Sequence, residues 1–364
     1  MRIAVLLDQW HADGGGLEQY LHYVLPALVD RGFAVALVAR GAELGCPRGV
    51  TPLSLHKGRW LPRPWSDYQE AREAVSRAQA WGADRCWGFR AIPCEGAIWT
   101  PMGGSAPDVQ KARGRLPSRR TRALLRLEDE TLDAASLVLP MSPMVERQIE
   151  ARSPGKPQSL MPLPLLEEPS VLKQPDRRTR GRVGHPIRIV HCGRDPLRHG
   201  SMAAVEWFRA LRGRQLHAEL RLWTKTVVHG ERAIGRSSAG LEEEGIFLHG
   251  WDGGFRDALA DADLLFHPTL YDSFSLVCLE AAAAGVPVVT TKGAGVAEIL
   301  PRELCIESRR ELPEVAAATA MELLVGGGQH GAEEWEGMVQ EVRKEFGFLR
   351  HVEELLKVLS GSSV

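Results

Sequence analysis

Two carboxylates, Asp272 and Glu280, stand eight positions apart in a stretch of small, polar and apolar residues. Asp272 lies in a serine-rich turn, whereas Glu280 is flanked by Leu279 and by alanines. Burying an ionised carboxylate among apolar side chains costs free energy unless polar groups pair with it. Hydroxyl groups of a sugar or a ribose would be suitable partners. We therefore interpret the pair as a candidate site for a ligand with several hydroxyl groups, rather than as two carboxylates on an exposed helix face.

The elements around this pair form a strand, a loop, a helix and a second strand. Residues 262–267 are mostly apolar, as in a buried parallel strand, and Pro268 ends its ladder pairing. Residues 276–284 have helical spacing and many alanines, and Gly285 is suited to the helix C-terminus. Residues 286–290 form the next buried strand.

The start of that helix is a candidate anion site. Free backbone N–H groups and the positive end of the helix dipole point to one place, which suits a phosphate or diphosphate. Asp272, Ser273 and Ser275 can each cap this helix start. The residues predicted to line the anion site are Ser273, Phe274, Ser275, Leu276 and Val277.

A second chemically active loop follows the strand predicted for residues 187–192. It carries Arg194, Arg198 and His199 and precedes a helix over residues 201–211. Two arginines and a histidine at the end of a strand could bind a phosphate, whose charge would favour the protonated imidazole. The alternative is a set of basic side chains on a surface loop.

A glycine-rich turn follows the first strand, residues 2–7, and precedes a helix over residues 17–31. Gly15 and Gly16 would let backbone amides approach a ligand closely there. The dinucleotide fingerprint G-x-G-x-x-G is absent. A tight strand-to-helix turn without a ligand is the alternative.

The stretch that contains Asp272 resembles the signature of retaining glycosyltransferases of family 4, which have the GT-B fold. In that family it usually runs Glu-Gly-Phe-Gly-Leu-x-x-x-Glu, followed by a Pro-Val-Val strand and Gly-Gly-x-x-Glu. Here Asp272 stands at the first acidic position and Glu280 at the second. Ser273 and Ser275 replace the family's glycines, and residues 294–298 read Ala-Gly-Val-Ala-Glu. The chain is closest in pattern to bacterial lipopolysaccharide core hexosyltransferases.

The resemblance implies a role for each site residue. Asp272 would bind a hydroxyl of the donor sugar, and Glu280 would bind the ribose hydroxyls. The family has Gly-Arg followed by Lys-Gly, so Arg194 matches and His199 stands at the lysine position, with Arg198 beside it. We therefore expect Asp272, Arg194 and His199 to be catalytic. The expected donor-binding residues are Gly15, Gly16, Arg198, Ser273, Phe274, Ser275, Leu276, Val277 and Glu280.

The acceptor side is expected in the loop after the strand of residues 97–99. It contains Thr100, Met102, Gly103 and Gly104. Many family members have a catalytic His or Asp here, but this loop has neither, and Asp108 is the nearest acid. The identity of a general base therefore stays open. A same-face mechanism, in which the leaving phosphate takes the acceptor proton, does not need one.

A basic segment covers residues 110–127 and has no acidic residue. From Ser118 onward it is predicted to be a helix with Ser118 as its cap. One interpretation is a solvated charged helix, and the other is a patch that binds an anionic membrane surface. The patch would consist of Arg113, Arg115, Arg119, Arg120, Arg122 and Arg126.

Composition excludes several classes of protein. The 364 residues carry a net charge of −1, which predicts no general affinity for nucleic acid. The six cysteines lack C-x-x-C or metal-ligand spacing, which favours free thiols in a reducing compartment and no metal site. No apolar run approaches the length that spans a bilayer, and the short apolar N-terminus indicates a first strand rather than a secretory signal.

The predicted fold is α/β: two doubly wound Rossmann-like domains facing each other across a cleft, as in GT-B proteins. We expect an acceptor-binding domain over residues 1–165 and a linker over 166–186. A nucleotide-sugar-binding domain over 187–335 would follow. The last segment, 336–364, would be a C-terminal helix that crosses back to the first domain.

The predicted activity is a retaining transfer of a hexose from a nucleotide diphosphate sugar to a hydroxyl of a glycolipid or oligosaccharide acceptor. Lipopolysaccharide or another cell-surface glycan is the expected product. A UDP-sugar is favoured as donor, with no cofactor, and the location is cytoplasmic with peripheral contact with an anionic membrane. The alternatives are a catalytically impaired nucleotide-sugar-binding scaffold, and a nucleotide-sugar hydrolase or epimerase on the same fold.

Overall fold

The computed structural model describes residues 1–12, 14–56, 65–104, 106–112, 114, 116–167, 186–214, 216–251, 254–326 and 332–361. Within these residues the chain divides into two compact units. The first contains Met1–Leu166 together with Gly347–Val364, and the second contains Glu167–Phe346. Residues 168–185, which form most of the expected linker, lie outside the described residues.

The first unit is built on a sheet of six parallel strands. They are β1 (Arg2–Gln9), β2 (Ala34–Arg40), β3 (Thr51–Ser54), β4 (Arg85–Gly88), β5 (Ile98–Trp99) and β6 (Leu137–Val138). Their order across the sheet is β3-β2-β1-β4-β5-β6. Val5 of β1 pairs with Leu37 on one side and with Trp87 on the other, so β1 is a central strand. Its apolar residues are fully buried, because helices cover both faces of a parallel sheet.

The helices described among Met1–Leu166 are α1 (Gly16–Val29), α2 (Trp65–Ala80), α3 (Ala106–Ala112), α4 (Arg119–Ala134) and α5 (Pro143–Arg152). The Ser118 cap predicted for α4 is confirmed, because its hydroxyl accepts a 3.1 Å hydrogen bond from the N–H of Thr121. Helix α3 was not predicted from the sequence. Its seven residues are too short to show a clear helical period.

The second unit contains another six-stranded parallel sheet. Its strands are β7 (Ile187–Cys192), β8 (Ala218–Trp223), β9 (Ile246–His249), β10 (Leu264–His267), β11 (Val288–Thr290) and β12 (Cys305–Glu307). Their order is β12-β11-β10-β7-β8-β9. Each sheet therefore starts at a central strand, extends to one edge and then returns to the other side of the start. This winding creates a switch point at the carboxyl ends of the two central strands, where open α/β sheets bind ligands.

The helices of the second unit are α6 (Pro196–His199), α7 (Ser201–Arg212), α8 (Val227–Ile234), α9 (Ser238–Glu242), α10 (Phe255–Ala260), α11 (Leu276–Ala283), α12 (Pro313–Gly326) and α13 (Ala332–Glu345). A 3₁₀ turn covers Gly295–Glu298. Trp207 of α7 packs edge-on against Phe266 of β10 in the core of this unit. The strand predicted at residues 187–192 is confirmed at the same bounds.

The C-terminal region contains two helices, α13 and α14 (Phe348–Ser360), where the sequence predicted one helix within residues 336–364. Gly347 has an extended backbone, which ends α13 and begins α14. A glycine in a helix interior is unfavourable, and the break occurs there. Helix α14 packs on α1 within the first unit, where the Tyr20 hydroxyl lies 2.8 Å from Nε2 of His351. Helix α13 belongs to the second unit.

No helix among the described residues combines the length and the apolar character needed to cross a membrane.

Candidate functional site

Two loops of the second unit meet at the carboxyl ends of β7 and β10, the switch point of that sheet. The N–H of Leu270 donates a 2.8 Å hydrogen bond to the carbonyl of Arg198, and the Thr269 hydroxyl donates to the same oxygen at 3.2 Å. Gly200 has a φ of +81°, and a Cβ atom there would lie 2.1 Å from the carbonyl oxygen of Pro268. Only glycine fits both the left-handed backbone and this approach. The basic loop and the acidic loop are thus fixed against each other.

The backbone of Asp272 is held from both sides. Its N–H donates to Gly293 at 2.6 Å, and its carbonyl accepts from Gly295 at 2.9 Å. Its carboxylate also turns back on the loop, because Oδ1 accepts hydrogen bonds from Ser275 at 3.0 Å and from Phe274 at 3.4 Å. These contacts fix Oδ1 and leave Oδ2 directed to other partners.

The capping prediction for α11 was wrong in one respect. Ser275 is the N-cap residue, but its side chain makes no capping hydrogen bond. Its φ is +75°, the left-handed region that the family's glycine would occupy without strain. In this backbone the Ser275 hydroxyl donates instead to the sulfur of Cys278 at 3.2 Å.

The first turn of α11 offers two free amides. The N–H groups of Phe274 and Ser275 are occupied by Asp272, whereas those of Leu276 and Val277 have no acceptor among the described residues. Such orphan donors, together with the helix dipole, favour an anion at this end. At the other end Gly285 has a φ of +70° and donates to Ala282, which confirms it as the predicted C-terminal glycine.

Three histidines line the same corner. His191 is fully buried, with Nδ1 at 2.8 Å from the Phe266 carbonyl and Nε2 at 3.1 Å from the Ser201 hydroxyl. The ring centroid of His267 lies 6.5 Å from that of His191 and 5.8 Å from that of His199. Nε2 of His267 is 3.5 Å from Oδ2 of Asp272. Both ring nitrogens of His199 are buried and have no hydrogen-bond partner among the described residues.

Burial and charge set the protonation states of this corner. Burial lowers the pKa of His191 to about 3. Burial and the charge of Arg198 lower the pKa of His199 to about 3. Burial alone would raise the pKa of Asp272, but the interaction with the nearby His267 ring and the charge of Arg198 hold it below its ordinary value. The ligand-free site therefore contains an ionised Asp272 and a neutral His199.

The two arginines of the basic loop occupy different surroundings. Arg198 belongs to α6, whose first turn is capped by Asp195, and its charge acts on Asp272. The guanidinium of Arg194 lies 5.9 Å from the centre of the Trp251 ring. Trp251 is 41% exposed and stacks on Phe255. Arg194 therefore combines a positive charge with an accessible aromatic face, a combination that the sequence reasoning did not predict.

Glu280 sits in α11 behind the helix start, with about a quarter of its side chain exposed. Burial raises its pKa to about 7, although the charge of Arg256 opposes this rise and that of Glu167 adds to it. Nη2 of Arg256 is 3.8 Å from Oε1 of Glu280, and Nη1 of Arg256 donates to Glu167. The expectation that a carboxylate here needs polar partners is consistent with this environment.

The remaining predicted residues lie in the first unit. Gly15 is the N-cap of α1, and its N–H donates to the side chain of Glu18 at 2.8 Å. Gly16 begins the helix. Thr100 is buried and its hydroxyl accepts a 2.9 Å hydrogen bond from the indole of Trp87. Thr100 thus has a structural partner rather than a free hydroxyl.

A cavity of about 480 Å³ opens at the carboxyl ends of β1, β4 and β5. Gly103 and Gly104 line it, together with the aromatic rings of Phe89 and Trp99. Three ion pairs also cross its lining: Asp8 with Arg90 at 3.4 Å, Glu70 with Arg40 at 3.3 Å, and Asp67 with Arg120 at 3.8 Å. The sequence reasoning assigned Arg120 to the membrane patch and missed the other ion-paired side chains, because they come from elements far apart in the chain.

Two polar atoms of this cavity are buried without a hydrogen-bond partner among the described residues. They are Oδ2 of Asp67, an acceptor, and Nε1 of Trp99, a donor. A buried polar group without a partner is costly. A ligand hydroxyl can both donate and accept, and would satisfy both atoms.

The basic segment is only partly a free surface. Arg119, Arg122 and Arg126 are exposed on α4, and Leu116 before it is 96% exposed. Arg120, in contrast, pairs with Asp67 at the cavity. Arg113 and Arg115 of the predicted patch lie outside the described residues.

In the part of the chain that the structure describes, no group of three or more His, Cys, Asp or Glu side chains could hold a metal ion.

Comparison with known proteins finds a family match within the second unit. Residues 186–308 match the family model described as "Glycosyl transferases group 1". The gpi3 subunit of phosphatidylinositol N-acetylglucosaminyltransferase from Schizosaccharomyces pombe is 36% identical over 61 residues. That match spans 17% of this chain and 13% of the length of the curated relative.

Solved structures resemble the whole chain. WaaG, a glycosyltransferase involved in lipopolysaccharide biosynthesis, has a TM-score of 0.76 and 16% identity, with 100% of each chain covered. HepE from Anabaena, solved in complex with UDP and glucose, has a TM-score of 0.70 and 15% identity, with 99% of each chain covered. These likenesses and the two parallel six-stranded sheets show the GT-B fold.

Proposed function

We propose that this protein, whose residues 186–308 form a glycosyl transferases group 1 domain, is a retaining hexosyltransferase that uses a nucleotide diphosphate sugar. The acceptor would be a hydroxyl of a glycolipid or oligosaccharide in cell-surface glycan synthesis, such as lipopolysaccharide synthesis. One observation carries the proposal: the basic loop of residues 193–200 is hydrogen-bonded to the loop that carries Asp272. Positive groups and a sugar-binding carboxylate therefore share one corner.

The donor diphosphate would bind at the start of α11. The free amides of Leu276 and Val277 offer two donors, and Arg194 and Arg198 offer positive charge. Hydrogen bonds from charged donors contribute about 1.5–3 kcal/mol each. The same groups would stabilise the charge that develops on the departing diphosphate. UDP is the favoured nucleotide, and the complex of HepE with UDP and glucose supports this choice.

His199 would take the position of the family's lysine. Its two ring nitrogens have no protein partner among the described residues, so they are available to a ligand. An incoming dianion opposes the effect of burial and of Arg198, and raises the pKa of the imidazole. His199 would then donate to a phosphate oxygen, as neutral imidazole or as imidazolium.

Asp272 would accept a hydrogen bond from a hydroxyl of the donor sugar. Its carboxylate is ionised because neighbouring positive groups lower its pKa, and Oδ1 is fixed by two amides. Aspartate is one methylene shorter than the family's usual glutamate. This shorter reach would influence which hexose fits.

The proposed chemistry is a same-face substitution at the anomeric carbon. The bond from that carbon to the diphosphate oxygen breaks as the bond to the acceptor oxygen forms. The acceptor proton passes to the leaving phosphate oxygen, so no separate protein base is required. Such a step depends mainly on positioning and electrostatic stabilisation.

The acceptor would bind in the cavity of the first unit. Aromatic rings of Phe89 and Trp99 provide stacking faces for a sugar. Oδ2 of Asp67 and Nε1 of Trp99, which have no hydrogen-bond partner among the described residues, provide an acceptor and a donor. Exposed Arg119, Arg122 and Arg126 on α4 would hold the protein at an anionic membrane surface that presents a glycolipid. Each basic residue near such a surface contributes about 1 kcal/mol.

Incubation with radiolabelled UDP-, GDP- and ADP-sugars tests the activity. Transfer of label to a lipid or oligosaccharide acceptor, with the anomeric configuration of the donor seen by NMR, is the expected result. Release of free sugar without acceptor would indicate a hydrolase, and interconversion of donor sugars would indicate an epimerase. Nucleotide binding without turnover on any glycan would indicate a scaffold protein.

A further inference from the structure

Arg256 of α10 stands between two carboxylates of the second unit. Its guanidinium lies 3.8 Å from Oε1 of Glu280 and also donates a hydrogen bond to Glu167. Arg256 and Glu167 are 42% and 43% exposed, whereas Glu280 is 24% exposed. Arg256 thus connects the exposed carboxylate of Glu167 to the less exposed carboxylate of Glu280.

The position of Glu280 makes this connection important. Its neighbours Leu279, Ala281 and Ala282 are fully buried, so the helix offers Glu280 no polar side chain. The charged groups that act on it are Arg256 from α10 and Glu167. Cys192 at the end of β7 is the titratable neighbour on the sheet side, and burial followed by the charge of Glu280 raises the pKa of its thiol.

We infer that Arg256 and Glu167 are positioning residues that control the charge of the Glu280 carboxylate and thereby the recognition of the donor's ribose hydroxyls. This inference rests on the proposed function, in which Glu280 binds the ribose. The positive charge of Arg256 favours the ionised form of Glu280. The negative charge of Glu167 disfavours that ionised form, and Glu167 also accepts a hydrogen bond from Arg256.

The protonation state of Glu280 decides how well it binds a diol. A carboxylate accepts hydrogen bonds from both ribose hydroxyls, and such charge-assisted bonds are stronger than neutral ones. The pKa of Glu280 is about 7, so the acceptor form is half populated near neutral pH. Recognition of the ribose should therefore weaken as the pH falls through 7.

The test compares UDP with 2′,3′-dideoxyuridine diphosphate, which lacks both ribose hydroxyls. The ratio of their affinities is measured by calorimetry from pH 5.5 to 8.5. Both ligands carry the same diphosphate, so groups that titrate near it affect both affinities alike and cancel in the ratio. The ratio therefore reports the contribution of the two ribose hydroxyls. For the unaltered protein the ratio should fall about tenfold between pH 7.5 and pH 6, since the carboxylate becomes protonated.

Two variants should move the midpoint of this profile in opposite directions. Arg256→Gln removes the favourable charge, so the midpoint should rise by about one pH unit. Glu167→Gln removes the opposing charge and frees Arg256, so the midpoint should fall. Arg256→Lys keeps the charge and should restore the original profile. Arg188→Gln is the matched control, because Arg188 is 41% exposed, pairs with Asp261 and lies near the start of β7.

Unmoved midpoints, or shifts of the same sign in Arg256→Gln and Glu167→Gln, would overturn the inference while leaving UDP binding intact. A merely structural role for Arg256 would weaken both ligands equally and leave their ratio unchanged, which also overturns it. Failure of the unaltered protein to bind UDP at any pH would instead overturn the proposed function, and the inference with it.

Discussion

Nε2 of His267 lies 3.5 Å from Oδ2 of Asp272, at the point where β10 passes into the loop before α11. His267 is 1% exposed and ends its strand, so its ring cannot turn away without disturbing the core. The opposite oxygen of the same carboxylate is fixed by the amides of Phe274 and Ser275. The orientation of Asp272 is thus determined by the fold rather than by a ligand.

Asp272→Asn should reduce transfer strongly and leave the fold intact. The amide keeps the size of the side chain but loses the charge that favours the sugar hydroxyl, and its NH₂ can face the amides of the loop. A loss of kcat/KM of about a hundredfold is expected, since a charged hydrogen bond contributes about 1.5–3 kcal/mol. UDP affinity, measured by calorimetry, should change much less. An active Asn variant would remove Asp272 from the chemistry.

His199→Lys should bind UDP more tightly than the unaltered protein at pH 8. Burial and Arg198 keep the histidine neutral in the ligand-free site, since its pKa is about 3, whereas lysine brings a charged donor. A gain of about tenfold is expected, which corresponds to about 1.4 kcal/mol. His199→Ala provides the comparison and should bind less tightly than either. Equal affinities for all three proteins would show that residue 199 does not meet the diphosphate.

Ser275→Gly should stabilise the second unit. A left-handed φ of +75° strains serine but not glycine, and such strain costs about 1–3 kcal/mol. The lost hydrogen bond to Cys278 offsets part of this gain. The expected result is a higher urea midpoint for Ser275→Gly and a lower one for Ser275→Ala, which keeps the strain and loses the hydroxyl. A glycine variant less stable than the alanine variant would contradict this account.

Glu280→Gln should raise stability at alkaline pH and not at acidic pH. The folded pKa of about 7 lies above the ordinary value of 4.5, so the native state binds more protons than the unfolded state between these values. Stability therefore falls as the pH rises through that window. Because glutamine carries no such cost, it should be more stable by about 2 kcal/mol at pH 8 and near equal at pH 4.5. Urea unfolding at both pH values, without nucleotide, makes the comparison.

Replacing Arg119, Arg122 and Arg126 together by Ser should weaken binding to vesicles that contain anionic lipid. The expected loss is about tenfold or more and should disappear at high salt, because exposed charges are screened. Arg209, Arg212 and Arg236 replaced together serve as the matched control on the second unit. Equal partition of all proteins onto the vesicles would assign α4 to the solvated helix that the sequence also allowed.

The sequence alone determined the repeated order of strand, loop and helix, because buried parallel strands and alanine-rich helices can each be recognised from a short stretch of sequence. It also located the loops that carry Arg194 and Asp272, the helix that carries Glu280, and the glycine that ends α11. Edge strands β3 and β12 and the short helices α3, α6 and α9 were not predicted, since few residues cannot establish a period. The break at Gly347 was missed because apolar residues on both sides continue the helical pattern.

Tertiary structure alone decided which side chains meet. His191 lies beside His267 only because β7 and β10 are neighbours in the sheet, a pairing between residues far apart in the chain. The same reason placed Arg256 beside Glu280 and assembled the ion-paired cavity of the first unit. The local sequence pattern determines where a helix or strand forms. Long-range packing determines which charged side chains surround it, and those charges set the protonation state of each candidate site residue.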